Sequence, residues 1–401
     1  MARRVSAARA LARERGIPLY LVGGAVRDLL LGRPGRIADV DLVVEEDAPG
    51  FARELARRLE ARVKLHGRFG TAVVDTSSGE RLDLATARKE SYDRPGALPR
   101  VRPGTIEDDL ARRDFTVNAM AMEIARRGRP RLLDPFGGRA DLRRGRIRML
   151  HPGSPCDDAT RAFRAVRYAN RLGFTIDPET RRWIRDAVEG GAVNAVSGDR
   201  IRRELALVFS EPNRGDAVRE LGRLGLAAAL HPSLTVDTAT IRRLRFAERL
   251  SSKPGPAPTW LVYLLAWMGE GDEGMAAAVA ERLNLPRREG AAVRRWPHTS
   301  KRLVAAARAP LPRRIAAIEG VSADELIAAA ALLSAPLARC LLEARKAAGL
   351  HLTIRGRDLL AAGIPAGPAV GRALAATLSA RRAGAIPAEE ELSFAVKAAR
   401  S

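Results

Sequence analysis

Asp39 and Asp41 flank Val40 at the start of the short apolar run Val40–Val44. Along a strand, residues two apart leave the same face, so the two carboxylates would stand a few ångströms apart and repel unless a cation joins them. Carboxylate oxygens are hard ligands, and such a pair is a natural seat for Mg²⁺. Asp83, inside a later apolar run, offers a third carboxylate with the same alternation. Two Mg²⁺ ions held roughly 3.5–4 Å apart can activate a hydroxyl as nucleophile and stabilise a departing phosphate. The pair by itself is weak evidence, because most Asp-x-Asp pairs are solvated surface acids. Asp83 read alone is equally a polar residue at a strand end.

Upstream lies Val22-Gly23-Gly24-Ala25-Val26-Arg27-Asp28. Two glycines between a strand and a helix let backbone N–H groups approach an anion, and a helix start favours phosphate. Arg27 in the first turn would add a charged fork. The stretch is neither a G-x-G-x-x-G fingerprint nor a P-loop.

These residues need a sheet to hold them. Leu19–Val22, Val40–Val44, Gly70–Val74 and Leu82–Ala85 read as strands, the last two joined by the turn Ser77-Ser78-Gly79. Ala25–Leu31, closed by Gly32, and Phe51–Leu59 read as helices. Arg88–Thr105 holds three prolines and two glycines and reads as a loop too long to be a mere connection. Met1–Gly16 is rich in Arg and Ala, but it carries Glu14 and has no apolar core, so it reads as a first helix ending at Gly16 rather than a targeting segment. Past Asp157 strand signals nearly vanish. Ala-, Leu- and Arg-rich helices follow, broken at Pro212, Ser251–Pro258, Pro310–Pro312 and Ile364–Pro368.

Composition bounds the rest. The chain has 401 residues, with 46% hydrophobic and 29% charged, which excludes wholesale disorder and favours several domains. No apolar run approaches the roughly 20 residues of a spanning helix. Cys156 and Cys340 stand far apart, which excludes a disulfide scaffold and a cysteine zinc site and fits a reducing cytoplasm. The five histidines show no metal spacing and no HD pair. The net charge is +22, distributed over successive hundreds as +5, +6, +4 and +7. A basic body of this kind suits a long polyanion lying along several domains. A GC-rich genome accounts for Arg outnumbering Lys, but not for the shortage of acids. Glu107, Asp108 and Asp109 after Thr105 read as an acidic helix start, and the four tryptophans as helix core.

Taken together, Leu21–Asp28, the Asp39/Asp41 pair and Arg112-Arg113-Asp114-Phe115-Thr116-Val117-Asn118-Ala119 resemble the class II tRNA nucleotidyltransferases. These are CCA-adding enzymes of the polymerase-β superfamily, with bacterial poly(A) polymerases as close relatives. Asp134-Pro135-Phe136-Gly137-Gly138 is similar to that family's hinge motif. Asp158–Arg167 resembles its nucleotide-reading helix, and Arg200–Leu205 the helix supporting it. The motifs fall in family order over about residues 18 to 207.

The resemblance implies an α+β fold: a polymerase-β-like head with a mixed sheet over 1–138, then an all-α neck (139–212), body (213–310) and tail (311–401). It implies that Asp39, Asp41 and Asp83 are catalytic and hold Mg²⁺, and that Gly23, Gly24 and Arg27 meet the triphosphate. Arg113 would contact the nucleotide, and Asp114 with Asn118 would help select ribose. Asp158 and Arg161 would read the base edge, with Arg164 and Arg167 behind them. Chemistry agrees with that reader: an Asp accepts from the exocyclic amino group that cytosine and adenine share, and Arg donates to ring or carbonyl acceptors. Residues three apart are helix neighbours, but each further step of three turns about 60° backward. Arg167 therefore falls half a turn from Asp158 and contacts phosphate, braces the site or is solvated.

The implied activity is template-independent addition or repair of the tRNA 3′-CCA from CTP and ATP, releasing pyrophosphate. The partners are the 3′ end and top half of tRNA, with no membrane, in a cytoplasmic monomer or dimer. Alternatives are an A-adding enzyme working beside a separate CC-adding one, a bacterial poly(A) polymerase, and an RNA-binding protein without catalysis. The long Arg88–Thr105 stretch argues against CC addition alone, since CC-only members of the family lack a working flexible loop. Gly137–Gly138 would let the head pivot against the neck.

Overall fold

A computed structural model describes residues 2–33, 40–66, 70–76, 81–91, 93–94, 96–97, 99–251 and 259–401. Asp39, the expected turn at Ser77–Gly79 and most of the expected break at Ser251–Pro258 lie outside the described residues. The chain divides into two compact units, Met1–Ala229 and Leu230–Ser401.

The first unit is built on a seven-stranded mixed sheet. Its strands are β1 (Tyr20–Val22), β2 (Val40–Val44), β3 (Arg62–His66), β4 (Thr71–Asp75), β5 (Arg81–Thr86), β8 (Ala121–Glu123) and β9 (Arg131–Leu133). The spatial order is β3-β4-β5-β2-β1-β8-β9. Only the β2–β5 pair is parallel; the other neighbours run antiparallel. Alternation sorts the two faces. Ala72, Val74, Leu82, Leu84, Val40 and Leu42 are buried, while the intervening Asp41 is exposed and Asp83 half-buried. Helix α3 (Ala48–Leu59) packs on this part of the sheet with Phe51 and Leu55 fully buried. Covering the apolar face leaves the carboxylate face open.

The remaining elements of this unit are mostly helical. Helix α1 (Ala2–Arg15) ends at Gly16 in the left-handed region, as expected, and α2 (Gly24–Leu30) follows β1 directly. Between β5 and α4 (Ile106–Ala111) the structure differs from the long loop expected. Strands β6 (Arg88–Ser91) and β7 (Arg100–Pro103) pair as an antiparallel ribbon. Apart from Ser91 and Val101 their residues are charged or proline, so no apolar alternation announces them. The edge strand β3 was missed for the same reason: Arg62, Val63, Lys64 and His66 are all exposed. Helices α5 (Gly138–Arg144), α6 (Ser154–Asp157), α7 (Thr160–Leu172), α8 (Pro178–Glu189), α9 (Gly198–Ser210) and α10 (Arg214–Arg223) complete the unit, with a two-residue parallel pairing of β10 (Arg146–Ile147) and β11 (Thr175–Ile176); α11 (Leu226–Leu230) runs up to its boundary.

The Gly137–Gly138 step, where a pivot is expected, is closely packed. A Cβ on Gly138 would lie 2.2 Å from the Thr116 carbonyl oxygen, so the helix start is pressed against backbone. Asp134 accepts from the Gly138 and Arg139 N–H groups at 2.6 and 2.9 Å. Buried Asp141 accepts from Thr116 Oγ1 and Arg148 Nε, tying α5 to the turn Thr116–Asn118.

Among the described residues the regular structure of the second unit is helical: α12 (Thr238–Ser251), α13 (Trp260–Met268), α14 (Glu273–Arg282), α15 (Arg287–Ala306), α16 (Leu311–Ala317), α17 (Ala323–Ala331), α18 (Ala335–Ala348), α19 (Gly356–Ala361), α20 (Pro368–Arg382) and α21 (Glu391–Arg400). Trp267 and Trp296 are core residues, as expected, each donating its indole N–H to a carbonyl. Two fully buried glutamates are clamped by arginine: Glu325 by Arg295, and Glu391 by Arg381.

Candidate active site

The open sheet face, the start of α2, the turn before α7 and the helix α9 enclose a cleft of about 850 Å³. Its floor is the β2–β5 pair, whose register sets Asp41 directly beside Asp83. Neighbouring strands are about 4.8 Å apart, so the two carboxylates share one small volume. Asp83 also receives Arg81: Nη2 lies 2.7 Å from Oδ1, and Nε 3.1 Å from each oxygen. Two adjacent carboxylates that draw in a guanidinium form a donor set fitting a divalent cation, made wholly of hard oxygens. Asp39 falls outside the described residues, and the described ones hold no cluster of three acidic, His or Cys side chains.

One wall is made by β1 and α2. Gly23 has φ +66°, and a Cβ there would lie 2.7 Å from Arg113 Nη1, so this position needs glycine for both backbone and space. Arg113 donates to Asp109 Oδ2 at 2.9 Å and to the Asn118 carbonyl at 3.3 Å. Its Nε is buried and has no hydrogen-bond partner among the described residues. Arg112 donates to the other oxygen of Asp109 and to Glu90 on the β6–β7 ribbon. In this acidic helix start Thr105 and Asp108 form the capping box, while Asp109 is fully buried between two arginines. Burial alone would raise its pKa, but Arg113 and Arg112 hold its carboxyl below the usual range.

Arg27, expected to meet the triphosphate, lies directly behind Gly24 and is engaged with its neighbours. It is buried, donating to Asn118 Oδ1 at 2.8 Å and to Asp28 at 2.9 Å, and it does not line the cleft. Asn118 passes the chain onward, donating to Asp114 Oδ1 at 3.0 Å, while Arg164 donates to Asp114 Oδ2 at 2.9 Å through Nε. Burial pushes Asp114 up; Arg164 and Asn118 more than reverse it and keep its carboxyl below the usual range. Arg27, Arg164 and Arg167 all stand within cation–π distance of the Tyr168 ring, at 5.4, 5.6 and 4.8 Å. Arg167 is buried beside Glu204 and does not line the cleft, so it stands as a brace.

Asp158 and Arg161 both face the cleft, but not as neighbours on one helix. Asp158 has extended backbone (φ −146°, ψ 98°) ahead of α7, and only Arg161 lies in the helix. Thr160 donates twice to Asp158 Oδ1, and Arg200 once to Oδ2 at 2.7 Å. Arg161 donates to Ser154 Oγ at 2.7 Å and to the Arg112 carbonyl at 2.8 Å. A carboxylate accepts about four hydrogen bonds and a guanidinium donates five. One acceptor site on Asp158 Oδ2 and three N–H groups of Arg161 thus remain beyond these partners.

Six residues here escaped the sequence reading: Glu90, Asp109, Tyr168, Arg200, Arg203 and Glu204, all but Asp109 lining the cleft. Arg200, Arg203 and Glu204 sat inside the motif read as a support, and the missing signal was which side each would turn. Glu90 and Asp109 lay among exposed-looking charges, with nothing local to mark them as buried.

A cleft over paired carboxylates on a mixed sheet, walled by arginines from a following helical section, defines a nucleotidyltransferase-type head. The Poly A polymerase head domain model matches residues 19–148, and the model described as the probable RNA and SrmB-binding site of polymerase A matches residues 173–237. The CC-adding tRNA nucleotidyltransferase of Deinococcus radiodurans is 34% identical over 95% of this chain and 89% of its own length. The chain belongs to the class II tRNA nucleotidyltransferase and poly(A) polymerase family. The A-adding tRNA nucleotidyltransferase of Geobacter sulfurreducens is 39% identical over 63% of this chain, and the match covers 29% of that enzyme's length. The Thermotoga maritima CCA-adding enzyme, solved with tRNA, superposes with a TM-score of 0.81 at 30% identity, covering 99% of this chain and 95% of that one.

Proposed function

We propose that the protein adds nucleotides to the 3′ end of tRNA without a template, completing or repairing CCA from CTP and ATP. The observation that carries this reading is that Asp41 and Asp83, side by side on β2 and β5, face the same cleft as Asp158 and Arg161. The RNA 3′-hydroxyl oxygen attacks the α-phosphorus, forming the new phosphodiester as the bond to pyrophosphate breaks. Asp41 and Asp83, with Asp39, would hold Mg²⁺. Bound there, it favours loss of the hydroxyl proton and offsets charge on the leaving pyrophosphate.

The protein's own groups bind and orient. Gly23 and Gly24 leave the α2 start open to phosphate, and Arg113 brings its guanidinium to that wall, with Nη1 over Gly23. Asp114 and Asn118, locked by Arg27 and Arg164, present a fixed polar edge to the ribose. The one remaining acceptor site of Asp158 suits one amino hydrogen, and the spare N–H groups of Arg161 suit the neighbouring ring acceptor. Cytosine and adenine each offer that combination; uracil and guanine place a carbonyl where the amino group belongs. We assign 1–138 as catalytic head, 139–212 as neck, and the basic 213–310 and 311–401 as body and tail that grip tRNA.

A second reading is addition of the terminal A alone, favoured by the likeness to the Geobacter sulfurreducens A-adding enzyme. Purified protein is offered CTP or ATP with tRNA ending before CCA, with tRNA ending in CC, and with a generic RNA. Sequential C and A addition supports the first reading. ATP use on CC-ended tRNA without any CTP use supports the second. No incorporation from either nucleotide overturns both.

A further inference from the structure

Arg81 stands two residues before Asp83 on β5, so both side chains leave the open face of the sheet. The guanidinium closes on that carboxylate with contacts to both oxygens, yet remains 53% exposed. Register extends the row outward: Asp41, Asp83, Val73 and Lys64 lie across β2, β5, β4 and β3. The next row reads Arg81, Asp75 and Arg62. Two strand spacings put Lys64 roughly 10 Å from Asp83 at the backbone. Arg62 and Lys64, both exposed, make the outer edge of the carboxylate face cationic.

Adjacent carboxylates need a positive charge between or beside them, and Arg81 supplies one to Asp83. A divalent cation on the same carboxylate competes for the oxygens that Arg81 contacts and repels its guanidinium. An arginine driven off Asp83 stays on the open face beside its cross-strand neighbour Asp75, one strand in from Arg62, with a planar fork suited to phosphate.

We propose that Arg81 is an exchangeable counterion: it neutralises Asp83 until a divalent cation takes that carboxylate, and then binds a phosphate of the RNA strand entering along the Arg62–Lys64 edge. The proposal rests on reading Asp41 and Asp83 as the metal-binding pair. One group serving two partners in turn makes cation and RNA strengthen each other's binding, by the same factor in both directions.

The test measures Mn²⁺ binding to the full chain from the paramagnetic signal of the free ion, with and without tRNA lacking its CCA end. In the wild-type protein the RNA tightens Mn²⁺ binding. Arg81→Gln binds Mn²⁺ roughly two- to fivefold more tightly without RNA, the factor expected from removing one exposed ion pair. In that variant RNA no longer tightens Mn²⁺ binding, and the logarithmic salt slope of RNA binding falls by about 0.7, one single-strand phosphate contact. Arg81→Lys keeps the charge but not the fork and falls between. Equal Mn²⁺ affinity in wild type and Arg81→Gln, with nucleotide addition intact in the wild type, overturns the counterion role alone. Mn²⁺ binding insensitive to Asp41→Ala overturns the metal assignment, and the counterion role with it.

Discussion

Arg113 lies across Gly23 so closely that a Cβ on the glycine would stand 2.7 Å from Nη1. The same guanidinium is tied to Asp109, which also holds Arg112, so one buried carboxylate sets the position of the arginine wall. The glycine that leaves room at the phosphate side and the acid that fixes the arginine are thus parts of one arrangement, contributed by segments far apart in the chain.

Gly23→Ala tests the first part. The methyl group meets a left-handed φ of +66°, a strain of about 1–2 kcal/mol, and pushes Arg113 off its partners. Nucleotide affinity, read by titration with CTP and ATP, is expected to fall at least tenfold while the thermal midpoint drops only a few degrees. Unchanged affinity counts against Arg113 as a nucleotide contact.

Asp109→Asn tests the second. Asp109 is fully buried, and removing its charge leaves Arg112 and Arg113 without their shared partner. Breaking a buried pair in this way costs about 3–5 kcal/mol, so denaturant unfolding should shift strongly. A loss under about 1 kcal/mol would show that the arginines find other partners and that the wall is not built on this residue.

Asp41→Ala separates chemistry from binding. Asp41 is exposed on the cleft floor, so the fold should persist, and most of the basic surface lies elsewhere. Nucleotide incorporation is expected to vanish while tRNA affinity stays within about threefold, since phosphate contacts dominate affinity. Joint loss of both would mean that Asp41 serves RNA binding or folding instead.

Gly138→Ala asks how rigid the α5 start is. The added methyl would stand 2.2 Å from the Thr116 carbonyl, against backbone that cannot swing aside, and overpacking of this kind costs about 1–3 kcal/mol. The expected result is a lower unfolding midpoint together with weakened nucleotide binding, because Thr116 and Asn118 belong to one short turn. A neutral substitution would show that this joint opens readily, as a pivot must.

Tyr20 gives an alkaline signature. Its phenol is pushed up to about 12, first by burial and then by Glu45, Glu123 and Glu107, against an unfolded value near 10. The folded state therefore favours the neutral phenol. This contribution is fully present below about pH 10 and is lost as pH rises through about 12. Stability measured across that window should fall less in Tyr20→Phe than in wild type, and tyrosinate absorbance should lose its last transition. Equal falls in the two proteins would contradict the burial effect.

Much of this architecture is written locally. Val40–Val44 and Leu82–Ala85 alternate as strands because one face must be apolar, and that alternation put Asp41 and Asp83 on the other face before any fold was known. The ordered motifs from Leu21 to Leu205 likewise pointed to the family and to part of the cleft lining. Neither source said that β2 and β5 are the one parallel pair in the large sheet, the pairing that brings Asp41 beside Asp83.

Tertiary structure decided the rest because charge does not carry its own burial. Arg27 and Arg113 read alike in the sequence, as arginines near glycine or acid, yet Arg27 is buried and bonded to Asn118 while Arg113 lines the cleft. Asp109 looks like its neighbours Glu107 and Asp108, but only Asp109 turns inward to two guanidiniums. The Asp109 pairs are three and four residues apart, a spacing that helix geometry allows without announcing burial, whereas Arg27 meets Asn118 across 91 residues, a pairing fixed only by which elements pack. The sequence by itself determined which chemical groups this protein carries and the strand face that bears its carboxylates. Only the folded chain determined which arginines brace the site and which remain to meet a ligand.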